Sequence, residues 1–292
     1  MRVLHLTDLH VQVRPHGAEL LGKRLLATVN LYVMGRQKKF SPQAQQAAVA
    51  ATLALEPDVV VITGDLTAQS TEAEFLGARQ LLAPITSRLP TLVIAGNHDT
   101  YVHSERDATR LRAHFAPQMD GGTMPYLVQH GEVAFLAIES CRSHLLSSGR
   151  VPQGQLAKAR ELLEGLPQPR PFVFLMLHYP LRGRDGLPYG PPTRSLSNAA
   201  EVEAFLAGTD RVDAVLHGHE HHGFRTTIAT AGGEIPVLDP GASGYAFLPD
   251  QDRTAHLNLY EVDRGGLHKV ERYRFDGQDF CPEPGGAYAT GR

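Results

Sequence analysis

The chain has 292 residues, of which 42% are hydrophobic and 20% are charged, as expected of a soluble globular protein. Its net charge of −3 gives no general attraction to nucleic acids, so we expect no nucleic-acid partner. Two cysteines exclude a disulfide framework, and the first residues predict a strand rather than a secretory signal, so we expect a cytoplasmic protein.

The first predicted strand spans residues 3–6 and leads directly into Asp8 and His10. Because these two residues are two positions apart, an extended backbone points both side chains to the same side. The pair is therefore a candidate for holding one metal ion.

Residues 11–40 are less regular, and we treat them as an insert. A helix is predicted over residues 20–34, apolar on most of its surface, with a basic cluster in and after it: Lys23, Arg24, Arg36, Lys38 and Lys39. Such a helix either packs on the body of the protein or lies on an anionic membrane surface. We therefore consider peripheral membrane contact through residues 20–39, at the inner face of the membrane.

A strand–helix–strand–helix–strand pattern follows the insert and places Asp65 at its centre. Ser41 and Pro42 predict a helix start, a β-branched run over 59–62 predicts a buried strand, and a helix and a strand are predicted over 71–82 and 91–95. This order predicts parallel strands with right-handed crossovers. Asp65 then lies at a carboxyl end, where ligands collect, and its two oxygens can bridge two cations.

The rest of the chain alternates in the same way. The expected helices span 100–115, 152–163 and 198–207, and the expected strands span 126–130, 133–140, 172–177, 212–216, 224–230, 235–238, 256–262 and 267–275. Residues 126–140 predict an antiparallel pair.

Five of the predicted strands end in residues that commonly ligate metals. These are Asp8 with His10, Asp65, Asn97 with His98, His178, and His219 with His221. Imidazole and carboxylate together suit zinc, iron, manganese, nickel or cobalt. The set is large enough for two ions that share Asp65, an arrangement suited to in-line displacement at phosphorus. One such motif means little, but five in this order are difficult to attribute to chance.

These motifs closely resemble those of the calcineurin-like metallophosphoesterases, over roughly residues 1–245. The resemblance implies an α/β fold, a four-layer α/β/β/α sandwich, which we expect to form a single domain over residues 1–292 around the insert. It implies two metal ions, divalent or of mixed valence, with manganese, iron and zinc as the candidates. One ion is expected on Asp8, His10, Asp65 and His221, and the other on Asp65, Asn97, His178 and His219.

The expected reaction is attack on phosphorus by a hydroxide that bridges the two ions. His98 and Asp99 are the candidate catalytic residues. His98 is expected near the leaving group, as a proton donor or as a stabiliser of charge, whereas Asp99 supports either His98 or the turn. His217 and His222 are candidates for supporting the ligands, and Arg142, Arg182, Arg194 and Arg225 are candidates for contacting phosphate.

The expected substrate is a phosphodiester or a pyrophosphate. The length and the Gly-Asn-His-Asp motif are similar to those of bacterial cyclic nucleotide phosphodiesterases. The apolar and basic insert is more similar to the hydrolases that cleave the pyrophosphate of UDP-2,3-diacylglucosamine at membranes. A third alternative is a non-catalytic, metal-bound scaffold, although such members tend to lose ligands and this chain retains them.

Overall fold

The computed structural model describes residues 1–15, 17, 23–28, 35–101, 109–143 and 147–289. The part of the predicted insert helix that falls on 20–22 and 29–34, and the part of the predicted helix over 100–115 that falls on 102–108, lie outside the described residues.

Two six-stranded sheets form the body of the protein. The first has the order β12-β11-β10-β1-β2-β3, and the second has the order β4-β5-β6-β7-β9-β8. The strands are β1 Arg2–Leu6, β2 Val59–Ile62, β3 Thr91–Val93, β4 Tyr126–His130, β5 Val133–Ala137, β6 Phe172–Met176, β7 Ala214–Leu216, β8 Phe224–Thr230, β9 Gly233–Asp239, β10 His256–Asp263, β11 Gly266–Phe275 and β12 Phe280–Pro282.

Both sheets are mixed. In the first, β1, β2 and β3 run parallel, with Val3 opposite Val59 and Val60 opposite Thr91, while β10 pairs antiparallel with β1. In the second, β5, β6, β7 and β9 run parallel, and antiparallel hairpins close both edges. The predicted parallel pairing of the first three strands is confirmed.

Six α-helices are described, and the longer ones cover the sheets. They are α1 Lys23–Thr28, α2 Pro42–Ala54, α3 Glu72–Thr86, α4 Arg110–Phe115, α5 Gln155–Glu164 and α6 Ala199–Ala207. As predicted, α2 starts at Ser41, whose side-chain oxygen accepts hydrogen bonds from the backbone N–H groups of Gln43 and Ala44.

The central strands are buried on both faces, which explains their continuous apolar sequences. In β6, Phe174 and Met176 belong to the core that the two sheets share with α2 and α3. Val173 and Leu175, on the opposite face of the same strand, pack in a second core with α5 and α6. Helix, sheet, sheet and helix thus form four layers, which confirms the predicted α/β/β/α sandwich.

The carboxyl-terminal residues are integral to this body. Strands β8 and β9 complete the second sheet, and β10 to β12 complete the first. Arg272 on β11 is buried and pairs with the buried Glu283, while its Nε donates to the carbonyl oxygen of Pro240 at 3.1 Å. Strand β12 was not predicted, because its three residues Phe280–Pro282 are too short to show a pattern.

The contacts of Arg24 in the insert disagree with the expected membrane contact. This residue is only 7% exposed, and its guanidinium donates to the carbonyl oxygens of Gln69 and Ser70 at 3.1 and 2.6 Å. Arg24 therefore cannot belong to a membrane-binding basic cluster as expected, because its guanidinium is buried and bonded within the protein. Leu25 beside it is half exposed, and no helix among the described residues is long and apolar enough to cross a bilayer.

Helix α3 begins with a reciprocal cap that buries a carboxylate. Glu74 Oε2 accepts hydrogen bonds from the backbone N–H groups of Gln69 and Thr71 at 2.9 and 3.1 Å, and Thr71 Oγ1 accepts one from the N–H of Glu74. Burial raises the pKa of Glu74 from 4.5 to about 7, although these N–H groups act in the opposite direction.

We expect this carboxylate to make stability fall as the pH rises. The folded protein binds the proton of Glu74 more tightly than the unfolded chain, so its contribution is complete below pH 4.5 and is lost as the pH passes 7. Relative to Glu74→Gln, which stays neutral, the wild type should lose about 2–3 kcal/mol of unfolding free energy between pH 5 and pH 8. Urea unfolding at both pH values measures this difference, with the exposed Glu164→Gln as control, and parallel curves for Glu74→Gln and wild type would contradict it.

Candidate metal centre

The candidate ligands lie on loops at one edge of the two sheets. Asp8 follows β1, Asp65 follows β2, and His178 follows β6. Backbone hydrogen bonds join these loops: the N–H of Asp8 donates to the carbonyl of Gly64 at 3.0 Å, and the N–H of His10 donates to the carbonyl of Asp65 at 2.9 Å. The loops therefore continue the pairing of the strands and hold the side chains in register.

Five of the seven predicted ligands have a left-handed backbone. The φ angles are 51° at Asp8, 50° at His10, 53° at Asp65, 79° at His219 and 57° at His221. A residue with a side chain seldom adopts this conformation, and such positions cluster where function requires them. The strain thus marks the same loops that the sequence motifs mark.

Two glycines allow the loops to approach each other. Gly64 has φ 102°, and a Cβ there would lie 2.5 Å from the backbone nitrogen of Gly96. A Cβ on Gly96 would lie 2.1 Å from Asp65 Oδ1. A side chain at Gly64 would force it away from Gly96, and one at Gly96 would displace the Asp65 carboxylate.

The first donor set consists of Asp8, His10, Asp65 and His221, and one ligand atom of each lies within 4.8 Å of the others. His221 Nε2 is 3.1 Å from both Asp8 Oδ1 and His10 Nε2. His10 Nε2 is 3.5 Å from one oxygen of each carboxylate. The four side chains thus converge on a single point.

This set fits a cation because its carboxylate oxygens and ring nitrogens offer more lone pairs than the neighbouring N–H and O–H groups can satisfy. Asp8 Oδ2 accepts hydrogen bonds from Thr7 Oγ1 at 2.8 Å and from the N–H of His219 at 2.9 Å. Asp8 Oδ1 is buried, and although ring nitrogens of His221 and His10 lie 3.1 and 3.5 Å away, no donor among the described residues is aligned for a hydrogen bond to it. Such an atom is costly unless a cation occupies the space in front of it.

The second donor set consists of Asn97, His178 and His219. Asn97 Oδ1 is 3.2 Å from His178 Nε2 and 2.8 Å from His219 Nδ1. The other ring nitrogens donate to carbonyls: His178 Nδ1 to Thr63 at 2.7 Å, and His219 Nε2 to Arg194 at 3.0 Å. These hydrogen bonds assign the tautomers and turn the lone pairs of His178 Nε2 and His219 Nδ1 towards the site.

Asp65 lies between the two sets. Its Oδ2 is 3.5 Å from His10 Nε2 in the first set and 3.5 Å from His178 Nε2 in the second. Its Oδ1 accepts a hydrogen bond from the backbone N–H of His98 at 2.7 Å, which fixes the carboxylate. The position is the one that a bridging ligand requires.

The pKa shifts in the buried cluster also favour binding of a cation. Burial raises the pKa of Asp8, but His221 and His10 outweigh this effect and hold it well below its usual value. Burial lowers the pKa of His178, but Asp65 outweighs it and raises the pKa to about 10. Burial also lowers the pKa of His219 and His221, so these rings are neutral and able to ligate. A cation bound at His178 Nε2 would take the place of the proton that Asp65 favours there.

The two candidate catalytic residues have different surroundings. His98 lines the cleft, and its Nδ1 donates to the carbonyl of Ala68 at 2.6 Å, which fixes the orientation of the ring. Asp99 is fully buried: Oδ1 accepts from Thr67 N–H and Oγ1, both at 2.9 Å, and Oδ2 accepts from the N–H groups of Gly96 and Leu66 at 2.9 and 3.2 Å. These contacts favour the turn-supporting role of Asp99 over a direct catalytic one, because four donors hold its carboxylate between the Asp65 and Asn97 loops.

A cleft of about 600 Å³ opens above the metal cluster. Of the four arginines that the sequence suggests for phosphate, Arg194 lines this cleft. Arg182 instead pairs with Glu203 at 2.9 Å, Arg142 donates to Ser148, and Arg225 is exposed on β8. His222 lines the cleft, whereas His217 is buried and lies 3.4 Å from Asp239.

Several residues of the site were not predicted. Phe40 packs on His10 with 4.2 Å between ring centroids, and Tyr101 stacks on His98 at 5.6 Å. Arg184 and Arg253 also line the cleft. Arg184 belongs to the Gly/Pro-rich loop that follows β6, so its position near a strand end was a usable signal. No comparable signal in the sequence pointed to Arg253, because it lies in a turn before β10 that follows none of the predicted ligand strands.

The α/β/β/α sandwich and its Asp/His cluster define the class of dimetal hydrolases. A sequence model of the calcineurin-like phosphoesterase family matches residues 1–223, and the chain belongs to this family. The family is dimetal dependent, and the chain carries the corresponding cluster of Asp and His side chains. No protein of curated function matches the chain by sequence.

Known structures share the fold at low identity. A dimetal phosphatase from Danio rerio is 12% identical with a TM-score of 0.61, and the alignment covers 96% of this chain and 98% of that one. A purple acid phosphatase from yellow lupin seeds is 16% identical with a TM-score of 0.60, covering 95% and 52%. A 5'-nucleotidase precursor from Thermus thermophilus is 16% identical with a TM-score of 0.52, covering 93% and 53%. At this identity the likeness concerns the fold alone.

Proposed function

We propose that this protein hydrolyses a phosphodiester or pyrophosphate bond with two metal ions. Asp8, His10, Asp65 and His221 would hold one ion, and Asp65, Asn97, His178 and His219 the other. The observation that carries the proposal is the position of Asp65 Oδ2, which is 3.5 Å from a ring nitrogen in each donor set. The mixture of imidazole, carboxylate and amide favours manganese, iron or zinc.

The ions would supply Lewis acidity at the phosphoryl oxygens and lower the pKa of water at the site. The chain's own residues provide the rigidity. Thr7 and the N–H of His219 orient Asp8, the N–H of His98 orients Asp65, and the carbonyl of Thr63 orients His178. Because these groups are held before substrate binds, little reorganisation is needed during the reaction.

His98 is the proposed proton donor to the leaving oxygen. Its Nδ1 is engaged by the carbonyl of Ala68, and Tyr101 stacks against its ring. Nε2 is therefore the atom that can exchange a proton with the substrate. All the ligands and His98 are present, which supports an enzyme over a non-catalytic scaffold.

The polarity of the cleft supports a soluble or head-group substrate. A cyclic nucleotide and a UDP-diacylglucosamine-like pyrophosphate both have the required bond, and they remain alternative substrates. The proposed membrane contact through residues 20–39 no longer includes Arg24, and Lys39 lines the cleft.

Turnover of bis-p-nitrophenyl phosphate and of p-nitrophenyl phosphate tests the proposal. The protein is stripped with a chelator, dialysed and assayed with and without added manganese. We expect turnover of the diester only with manganese, and kcat/KM at least about tenfold above that of the monoester. Diester turnover that is equal without metal would contradict the metal-dependent function, and a preference for the monoester would overturn the diesterase assignment.

A further inference from the structure

Arginines from two separate parts of the chain meet at the mouth of the cleft. Arg184 and Arg194 belong to the loop between β6 and α6, and Arg253 belongs to the turn before β10. Lys39, from the short 3-10 helix Arg36–Lys39 before α2, lines the same cleft. All four lie outside the proposed ligand sets.

The three guanidinium groups form no close ion pairs with carboxylates of the described residues, although Glu220 attracts Arg253 from a greater distance. Within the residues that the structure describes, no carboxylate oxygen lies within 4.0 Å of Arg184, Arg194 or Arg253. This is unlike Arg182 on the same loop, which pairs with Glu203 at 2.9 Å. An arginine that lines a cavity without such a partner can offer its planar donors to a bound anion.

Arg253 is the most firmly held of the three. It contacts His222 Nε2 through Nη1, and its guanidinium lies over the ring of Tyr245, 4.6 Å from the centroid. Its pKa is lowered, first by partial burial and also by the charge of Arg184. The charges of Arg184 and Arg253 therefore repel each other across the cleft wall, and an anion between them would relieve this repulsion.

The remaining charge on the described cleft wall is small. Among the described residues that line the cleft, Glu220 is the acidic residue that does not belong to a ligand set. Its Oε1 accepts a hydrogen bond from the hydroxyl of Tyr189. Three arginines thus share this wall with one carboxylate, next to the ligand sets, whose ions would attract the phosphate to be cleaved. The two positive charges left over match the charge of one phosphate dianion beside the proposed metal ligands.

We propose that Arg184, Arg194 and Arg253 bind a second phosphate group of the substrate, in addition to the one that is attacked. The inference rests on the proposed function and narrows it to substrates with linked or neighbouring phosphates. A phosphate dianion has more acceptor oxygens and more charge than a carboxylate, and it matches the forked donors of several arginines. A cleft of about 600 Å³ accommodates a group of this size beside the metal cluster.

Binding of two simple anions tests the assignment. Methylenediphosphonate carries two phosphonate groups, and methylphosphonate carries one. Their Kd values are measured by calorimetry on the manganese-loaded protein, for wild type, Arg184→Gln/Arg194→Gln, and a control that loses two exposed arginines elsewhere, Arg150→Gln/Arg264→Gln. The control residues pair with Glu201 and Glu132 at 3.7 and 3.2 Å, away from the cleft. Unchanged thermal unfolding establishes that the exposed substitutions leave the fold intact.

We expect the cleft variant to bind methylenediphosphonate at least about tenfold more weakly than wild type, and methylphosphonate within about twofold. The control should match wild type for both anions. Equal losses for both anions, or no loss for either, would overturn the second-phosphate site. If bis-p-nitrophenyl phosphate is still hydrolysed with manganese in that case, the proposed function survives without the inference.

Discussion

Asp65→Asn is expected to remove both metal ions and to lower kcat by at least about 10³-fold. The substitution preserves shape, so the side-chain oxygen can still accept the N–H of His98, now 2.7 Å from Asp65 Oδ1. The other atom becomes an NH₂ group that faces His10 Nε2 and His178 Nε2, where Asp65 Oδ2 lies at 3.5 Å from each. A neutral hydrogen-bond donor cannot bridge two cations, and the lost Lewis acidity is worth several kcal/mol.

The expected loss of both ions is tested by measuring the metal content of each variant after dialysis. Wild type should retain about two ions per chain and Asp65→Asn fewer than one. The exposed Asp250→Asn serves as the control for losing a carboxylate. Two tightly bound ions in Asp65→Asn would show that Asp65 is not shared between the sites.

His98→Ala is expected to lower kcat by about 10² to 10⁴ while both ions remain bound. The backbone N–H of residue 98 still donates to Asp65, so the ligand stays in place. Only the ring is lost, and with it the proposed proton for the leaving oxygen. The deficit should be smallest for a good leaving group such as p-nitrophenol, because that oxygen leaves without protonation.

A series of aryl and alkyl diesters tests this dependence. A plot of log kcat against the pKa of the leaving alcohol should be steeper for His98→Ala than for wild type. His268→Ala is the matched control, since that imidazole is exposed and pairs with Asp263 at 2.8 Å. Loss of metal from His98→Ala would make His98 a ligand, and parallel plots would exclude it as the proton donor.

The ligand residues could be found from the sequence because each follows a predicted strand. A strand of four or five apolar residues, such as Val59–Ile62, is visible as a pattern, and topology then brings the carboxyl ends together. What the pattern could not provide was the left-handed backbone at Asp8 or Asp65. That conformation depends on hydrogen bonds to loops far along the chain.

The roles that the sequence left open or missed at Asp99, Arg24 and Arg253 have one cause in common. Asp99 adjoins His98 in sequence, but its carboxylate turns away to bind backbone N–H groups around residues 66 and 96. Arg24 carries a charge that suggested a membrane, yet tertiary contacts use it to satisfy two carbonyls. Arg253 reaches the cleft only because β10 lies beside β1 in the first sheet. The positions of these three residues depend on side-chain direction and on pairing between distant parts of the chain. Neither can be read from a local sequence pattern.

The positions of the metal ions test the central claim most directly. Crystals grown with manganese, with diffraction collected near the manganese absorption edge, locate the ions without any assay. The structure predicts two anomalous peaks, one among Asp8, His10 and His221 and the other among Asn97, His178 and His219, with Asp65 in contact with both. A single peak, or two peaks that do not share Asp65, would contradict the proposed dimetal centre.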